Sequence, residues 1–453
     1  MEATIDSNIK KKHPKGLYLL FLTEMWERFS YYGMRALLML YLTTSLIGGG
    51  LGFDLGIAAM IYGVYTGFTY FTPIIGGAIA DRYLGQKLSI VIGGFIMVFG
   101  NLILFFDNTR VGLFIGLAIL IVGNGFFKPN ISTVVGQLYP DGDSRKDSAF
   151  TIFYMGINLG SFIAPIICGF LAEDYFAKSV DGVMQYGFKY GFLAAAIGMI
   201  LGQVIFMALA PKYLKNVGNK PEKVEKGKVS YENKPLTKTE KRRVAAILIL
   251  TTFVIFFWAA FEQAGSSLTL FTKDLTNRNL FGFEIPVSAF QSLNPMFVLI
   301  LSPILAKVWV KLANRKKGDL KVPVKMGLGL LLVGVGFLVM VGAVLSIQGS
   351  ENPAAKASMW FLVITYLCNT LGELCLSPIG LSMVSNIAPI KYATLLMGVW
   401  LSANGVANLL GGAIASQVEK FGALEIFASI SCVVTILGLI LLVFSKKISK
   451  MME

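Results

Sequence analysis

Long apolar runs alternate with short polar breaks over the whole chain. A window reading gives twelve, at approximately 17–46, 55–80, 87–106, 111–138, 148–172, 186–210, 243–271, 287–312, 323–347, 357–387, 392–417 and 421–445. Each is about 20 residues or longer, enough to cross a hydrocarbon core of about 30 Å as a helix. One break differs from the rest. From Pro211 to Arg243 the chain reads PKYLKNVGNKPEKVEKGKVSYENKPLTKTEKRR, with eleven positive charges and no apolar run, the composition of a solvated linker. The pattern predicts an all-α integral membrane protein with twelve transmembrane helices. They form two six-helix bundles, at 17–210 and 243–445, joined by the linker 211–242 and flanked by polar tails at 1–16 and 446–453.

Composition agrees: 55% of residues are hydrophobic, 15% are charged and the mean hydropathy is +0.68, against about 25% charged in soluble proteins. The net charge of +14 raises the question of a nucleic-acid partner, and the positions of the charges answer it. With the N-terminus inside, 29 Lys and Arg fall on the inner side and 7 on the outer. That asymmetry is the positive-inside signal, so the basic excess sets topology and implies no nucleic acid. The N-terminal MEATIDSNIKKKHPKG lacks a cleavable apolar core, and both termini are expected to lie in the cytoplasm of a cell whose plasma or inner membrane holds the protein.

Cys168, Cys368, Cys375 and Cys432 lie within apolar spans and His13, the single histidine, lies in the tail. A metal site is not expected. No nucleophile with an adjacent base and no phosphate loop appears, which argues against an enzyme. Proton chemistry inside the membrane must run on carboxylates.

The first span, FLTEMWERFSYYGMRALLMLYL, carries Glu24, Glu27, Arg28 and Arg35. On a helix, Glu24, Arg28, Tyr31 and Arg35 stack on one face, with Glu27 widening the stripe. Each charge near a helix centre costs on the order of 2.5 to 3.5 kcal/mol to insert. Four facing lipid would cost about 10 kcal/mol, so the stripe must line a protein interior or a water-filled cavity. An intrahelical Glu24–Arg28 pair gluing helices together is the simpler alternative. Against it as a full account stand Lys128 in span four, Glu262 in span seven and Glu373 in span ten. These are the first and fourth helices of each half, the ones that line the cavity of a six-plus-six transporter.

Four buried carboxylates face three buried cations, so one carboxylate should accept a proton in at least one state of a cycle. The cations all come from the N-terminal half, while the C-terminal half supplies only Glu262 and Glu373. A zwitterion would be held across such a cavity. Tyr31, Tyr32, Tyr70, Trp258 and Trp400 lie inside spans rather than at their ends, where belt aromatics belong. They can line pockets for variable side chains, or serve helix packing. The amides of Asn158 and Asn294 could contact a peptide backbone or bond across helices.

GNGFFKP at Gly123–Pro129 and GELCLSP at Gly372–Pro378 echo each other in the fourth span of each half. GGAIADRYLGQK, Gly76–Lys87, resembles the G-x-x-x-D-R-x-G-x-K/R loop of the major facilitator superfamily, in which Asp81 and Arg82 would make gating contacts. EMWERFSYYG is similar to the E-x-x-E-R-F-x-Y-Y-G signature of the proton-coupled oligopeptide transporter family. FFKPN at Phe126–Asn130, FWAAFEQ at Phe257–Gln263 and GELCLSPIGLS resemble that family's segments in spans four, seven and ten.

The resemblance, which runs over nearly the entire chain, implies a major facilitator fold around a central cavity and proton-coupled symport of di- and tripeptides by alternating access. Glu24, Glu27 and Arg28, with Glu262, would serve proton coupling. Arg35 and Lys128 would bind the peptide carboxylate and Glu373 its amine, with Asn158 and Asn294 as further polar contacts. Tyr31, Tyr32, Tyr70, Trp258 and Trp400 would shape the side-chain pockets. Glu262 would pair alternately with Arg35, and Glu373 with Lys128. Protons are the only coupling species implied, no cofactor is expected, and the chain is expected to act as a monomer in the bilayer. Two rivals are a transporter of the same fold for another small anion or zwitterion, and a non-transporting membrane receptor. The two extra helices that bacterial relatives usually carry between the halves do not fit into this polar linker.

Overall fold

A computed structural model describes the chain except residues 1–11, 141, 142, 144, 216, 220–235, 316–318, 351, 353, 390 and 391. The middle of the expected linker and most of the N-terminal tail therefore lie outside the described residues. The N-terminal half consists of α1 (Lys15–Thr43), α2 (Leu55–Ile79), α3 (Gln86–Phe106), α4 (Arg110–Gln137), α5 (Lys146–Gly169) and α6 (Phe188–Tyr213). The C-terminal half consists of α7 (Lys238–Phe261) with its short continuation α8 (Ser267–Leu275), then α9 (Leu293–Ala313), α10 (Val322–Gln348), α11 (Trp360–Ile387), α12 (Ala393–Ala415) with the one-turn α13 (Val418–Phe421), and α14 (Ala423–Met452).

Twelve spans thus appear where the hydropathy pattern puts them. Among the described residues, ten helices are both long and apolar enough to cross a membrane. The other two, α1 and α2, are 29 and 25 residues long. Charge dilutes the first, and glycine, threonine and tyrosine dilute the second. Two boundaries differ from expectation. Span seven breaks at a 3-10 turn, Glu262–Gly265, before α8 resumes. The last helix runs on to Met452 rather than ending near residue 445, because Arg243 at the start of α7 donates to the carbonyls of Met452 (3.1 Å) and Glu453 (2.9 Å) and finishes its last turn.

Local chemistry sets several starts. Thr237 and Glu240 cap α7 reciprocally, each satisfying the other's backbone N–H, and the Thr109 hydroxyl accepts from Gly112 N at the start of α4. Two apolar cores follow the halves. One is built on Leu20, Leu37, Phe127, Phe192 and Phe206, the other on Leu250, Phe257, Leu330, Phe337 and Phe427.

Both described ends of the chain and the described ends of the linker sit at one end of the bundle, here the basic end. His13 bonds Tyr139, Arg145 donates to Lys12 O, and Arg243 holds the C-terminus. At the far end the chain turns back through two small antiparallel hairpins, β1 (Lys178–Val180) with β2 (Val183–Gln185) and β4 (Asn279–Leu280) with β5 (Phe283–Glu284). A parallel pair of β3 (Thr276–Asn277) with β6 (Ala357–Ser358) lies there too. The halves meet on the far side of the membrane's midline, where α2 crosses α12. A methyl on Gly63 would sit 2.8 Å from Gly412 Cα, so only glycine lets the two backbones approach there.

Candidate functional site

The charged stripe of α1 faces inward, as its insertion cost requires: Glu24, Glu27, Arg28 and Arg35 are all buried. Arg28 Nε lies 3.1 Å from Glu24 Oε1 and also bonds Glu27. Glu24 Oε2, Glu27 Oε1 and Arg28 Nη2 have no hydrogen-bond partner among the described residues. A purely structural bridge would be satisfied, since each unmet buried polar group is costly. The incomplete triad is what a site that exchanges a ligand or a proton would look like. Lys128 on α4 is close enough to both carboxylates to interact with them, and its ammonium sits 4.1 Å from the centre of the Tyr70 ring.

Two turns toward the far end, Arg35 makes the ion pair with Glu262 that the family resemblance implies. Glu262 stands at the helix break, where the 3-10 turn lets its side chain reach across to the other half. Tyr62 completes the group, its hydroxyl accepting from Arg35 Nε at 2.6 Å. Tyr62 was not foreseen as a site residue, and neither was Tyr65, which stacks on Tyr31 with centroids 6.5 Å apart. The signal was present: Tyr62 and Tyr65 lie three apart in the same apolar span as Tyr70.

Glu373 on α11 receives one hydrogen bond, from Asn294 at 2.9 Å, and Asn294 also donates to Thr370 at 3.0 Å. The proposed partners Lys128 and Glu373 are not paired in this structure. Tyr32 lies edge-on to Tyr31 (5.2 Å) and beside the Arg35 guanidinium (5.8 Å). Trp258 is half-buried against Phe257 and Phe261. Four expected residues are placed less directly. Trp400 is buried in the C-terminal core, over Gly380. Asn158 donates to Tyr154 O of its own helix at 2.9 Å rather than across helices. Asp81 accepts from Gln86 at 2.9 Å within its own loop, and both Asp81 and Arg82 are exposed.

Contacts between the halves concentrate at the far end. Besides Arg35–Glu262 and the glycine crossing, Lys273 bonds Thr44 (3.3 Å) and Ser292 donates to Phe162 O (2.7 Å). These bonds between the halves close the far end over the charged groups, and among the described residues no hydrogen bond or ion pair joins α4 to α11, the two helices that carry Lys128 and Glu373.

The POT family profile matches residues 87–226 and 219–433. The chain is 34% identical to the Peptide transporter YePEPT of Yersinia enterocolitica, over 95% of this chain and 94% of the other. It is 32% identical to the Di-/tripeptide transporter of Lactococcus lactis subsp. cremoris, over 97% and 96%. Among solved structures it resembles a mutant POT peptide transporter in complex with alafosfalin (TM-score 0.86, 33% identity, 99% of this chain and 98% of that one). It also resembles a POT family transporter in complex with 5-aminolevulinic acid (TM-score 0.86, 32% identity, 98% and 99%).

Proposed function

The chain belongs to the POT family, and from that premise we propose that it imports di- and tripeptides by proton-coupled symport, alternating access between the two faces of the membrane. The observation that carries the reading is the split state of two charge partnerships. Arg35 is locked to Glu262 across the far end, while among the described residues no ion pair joins Lys128 on α4 to Glu373 on α11. Taking the basic end as cytoplasmic, as the Lys and Arg distribution argues, this is an inward-open state.

A peptide has the complementary chemistry. Its carboxylate suits Arg35 and Lys128, its ammonium suits Glu373 with Asn294 alongside, and its variable side chains suit the aromatic lining of Tyr31, Tyr32, Tyr70 and Trp258. Burying the peptide's charges is favourable only where each finds a partner, which reads both ends of a short peptide and leaves its middle free. Glu24, Glu27 and Arg28 handle the proton. The triad holds one more carboxylate than cation, and Lys128 restores the balance until a peptide carboxylate claims it. Peptide arrival then favours a proton on Glu24 or Glu27, which links cargo to proton. Glu262, released from Arg35, opens the far end. The chain acts as a monomer in this reading, with the bilayer as its surroundings and both termini in the cytoplasm.

The test is uptake of a labelled dipeptide into liposomes with an imposed proton gradient. Accumulation should follow the gradient, and Glu24→Gln should abolish accumulation while sparing exchange of labelled for unlabelled peptide. Uptake indifferent to both the gradient and the substitution would refute the coupling.

A further inference from the structure

The far end holds a further charged connection between the halves, away from the peptide and proton groups. Helix α5 ends in a π-helical turn, Phe170–Tyr175. Such turns shift the register of the side chains by one residue and recur at functional positions. This one presents Glu173 to the C-terminal half. Its carboxylate accepts from Val287 N at 2.7 Å and from Ser288 N at 3.0 Å, the first free amides of the helical stretch that runs through the 3-10 turn Ser288–Ser292 into α9. An acidic group at a helix start is stabilised by the aligned backbone dipoles as well as by the bonds themselves. Here the acid belongs to one half and the helix to the other.

The surroundings make the contact a built one. Arg278 fixes the approach to these amides by donating to Ile285 O at 2.6 Å and to Glu284 at 2.6 Å. One turn further in, the Ser288 hydroxyl donates to Pro165 O (3.3 Å) and the Ser292 hydroxyl to Phe162 O (2.7 Å). Of these rungs between α5 and the start of α9, only that of Glu173 carries charge.

We infer that Glu173 is a positioning residue for transport: a latch that holds the far end closed and weights the cycle toward the inward-open state. A helix cap made within one rigid half would stabilise the fold in every state. A cap made across the halves stabilises only states in which those halves touch, so losing it shifts populations. Arg35–Glu262 can be broken by a peptide or a proton. Glu173 touches neither, and sets instead the baseline against which the substrate must work.

The inference rests on the alternating-access reading above. It is tested by spin labels at Ser179→Cys and Leu280→Cys, exposed sites on the two far-end hairpins, in a background lacking Cys368 and Cys432. Glu173→Gln replaces one accepting oxygen by an amide that confronts a backbone N–H. Val287→Pro removes one of the two donors and leaves the carboxylate in place. Both should lengthen the far-end distance and raise the ratio of outward-open to inward-open populations by about tenfold, the size of a charged hydrogen bond. Should Glu173→Gln fail to fold, Val287→Pro decides alone. Distance distributions equal to the parent's, or shifted shorter, would overturn the latch. Because the distance reports gate opening directly, a shift in a protein that carries no peptide would sink the cargo assignment and leave the latch standing.

Discussion

The two halves carry their buried charges in opposite ways. In the N-terminal half, Glu24, Glu27 and Arg28 crowd into one turn of α1, with Lys128 within electrostatic reach from α4. Two carboxylates and two cations sit together there, needing nothing from outside to be neutral. In the C-terminal half, among the described residues, Glu262 is bonded by reaching across to Arg35, and Glu373 has an amide for company and no cation. One half is a charge reservoir and the other a set of open valences. Any cargo that fills those valences must bring a positive group to Glu373, and any cargo that displaces Lys128 must bring a negative one.

If that contrast is right, the harshest way to break it is at its densest point. Arg28→Leu leaves Glu24 and Glu27 three residues apart without the cation that bonds them both, and with only the more distant Lys128 to offset two charges. Removing one partner of a buried charge cluster costs about 3–5 kcal/mol, so the melting temperature in detergent should fall steeply and little folded protein should be recovered. A folded Arg28→Leu transporter with normal uptake would mean that the triad bears no charge. Glu373→Gln should act differently. It removes a carboxylate whose only hydrogen-bond partner among the described residues is the Asn294 amide, so the fold should survive while the KM for a free dipeptide rises about tenfold or more. An N-acetylated dipeptide, which has no ammonium to lose, should be affected little by the same change. Equal losses for the two substrates would detach Glu373 from the amine.

How far the sequence foretold this depends on what kind of signal each residue leaves. Charges inside apolar runs are conspicuous because each costs energy that only a polar interior returns, so Glu24, Glu27, Arg28, Arg35, Lys128, Glu262 and Glu373 stood out one by one. Their grouping was partly legible. The i, i+4 spacing within α1 predicts the Glu24–Arg28 contact, but the Arg35–Glu262 bond depends on how two bundles are inclined, which no local pattern encodes. Trp400 stood out because it lies mid-span, yet mid-span position cannot separate a lining ring from a core ring, and the structure places it over Gly380 in the core. Tyr62 carries a weaker signal for the converse reason, since a tyrosine among tyrosines betrays its partner only once α2 is packed on α1. Glu173 escaped because it lies near a span end, where a carboxylate costs little and attracts no notice.

Tyr62 also supplies the smallest effect and the sharpest test of the comparison. Its hydroxyl accepts one hydrogen bond from Arg35 Nε at 2.6 Å, while Glu262 holds the other side of the guanidinium. Tyr62→Phe keeps the ring, the packing and the ion pair, and removes one bond to a charged group, worth about 1.5–3 kcal/mol when its donor is left unsatisfied. Among the described residues Arg35 is the only cation of the N-terminal half bonded across the gap, so the loss should loosen the far-end lock and misplace the group proposed to read the peptide carboxylate. Uptake should drop about tenfold, with the loss concentrated in KM. Peptides with an amidated C-terminus should already be poor substrates and change little. If instead Tyr62→Phe lowered the stability of the detergent-solubilised protein and spared KM, Arg35 would belong with Arg28 as a fixed member of the N-terminal reservoir. The division of labour between the halves would then have to be redrawn around Glu373 and Lys128 alone.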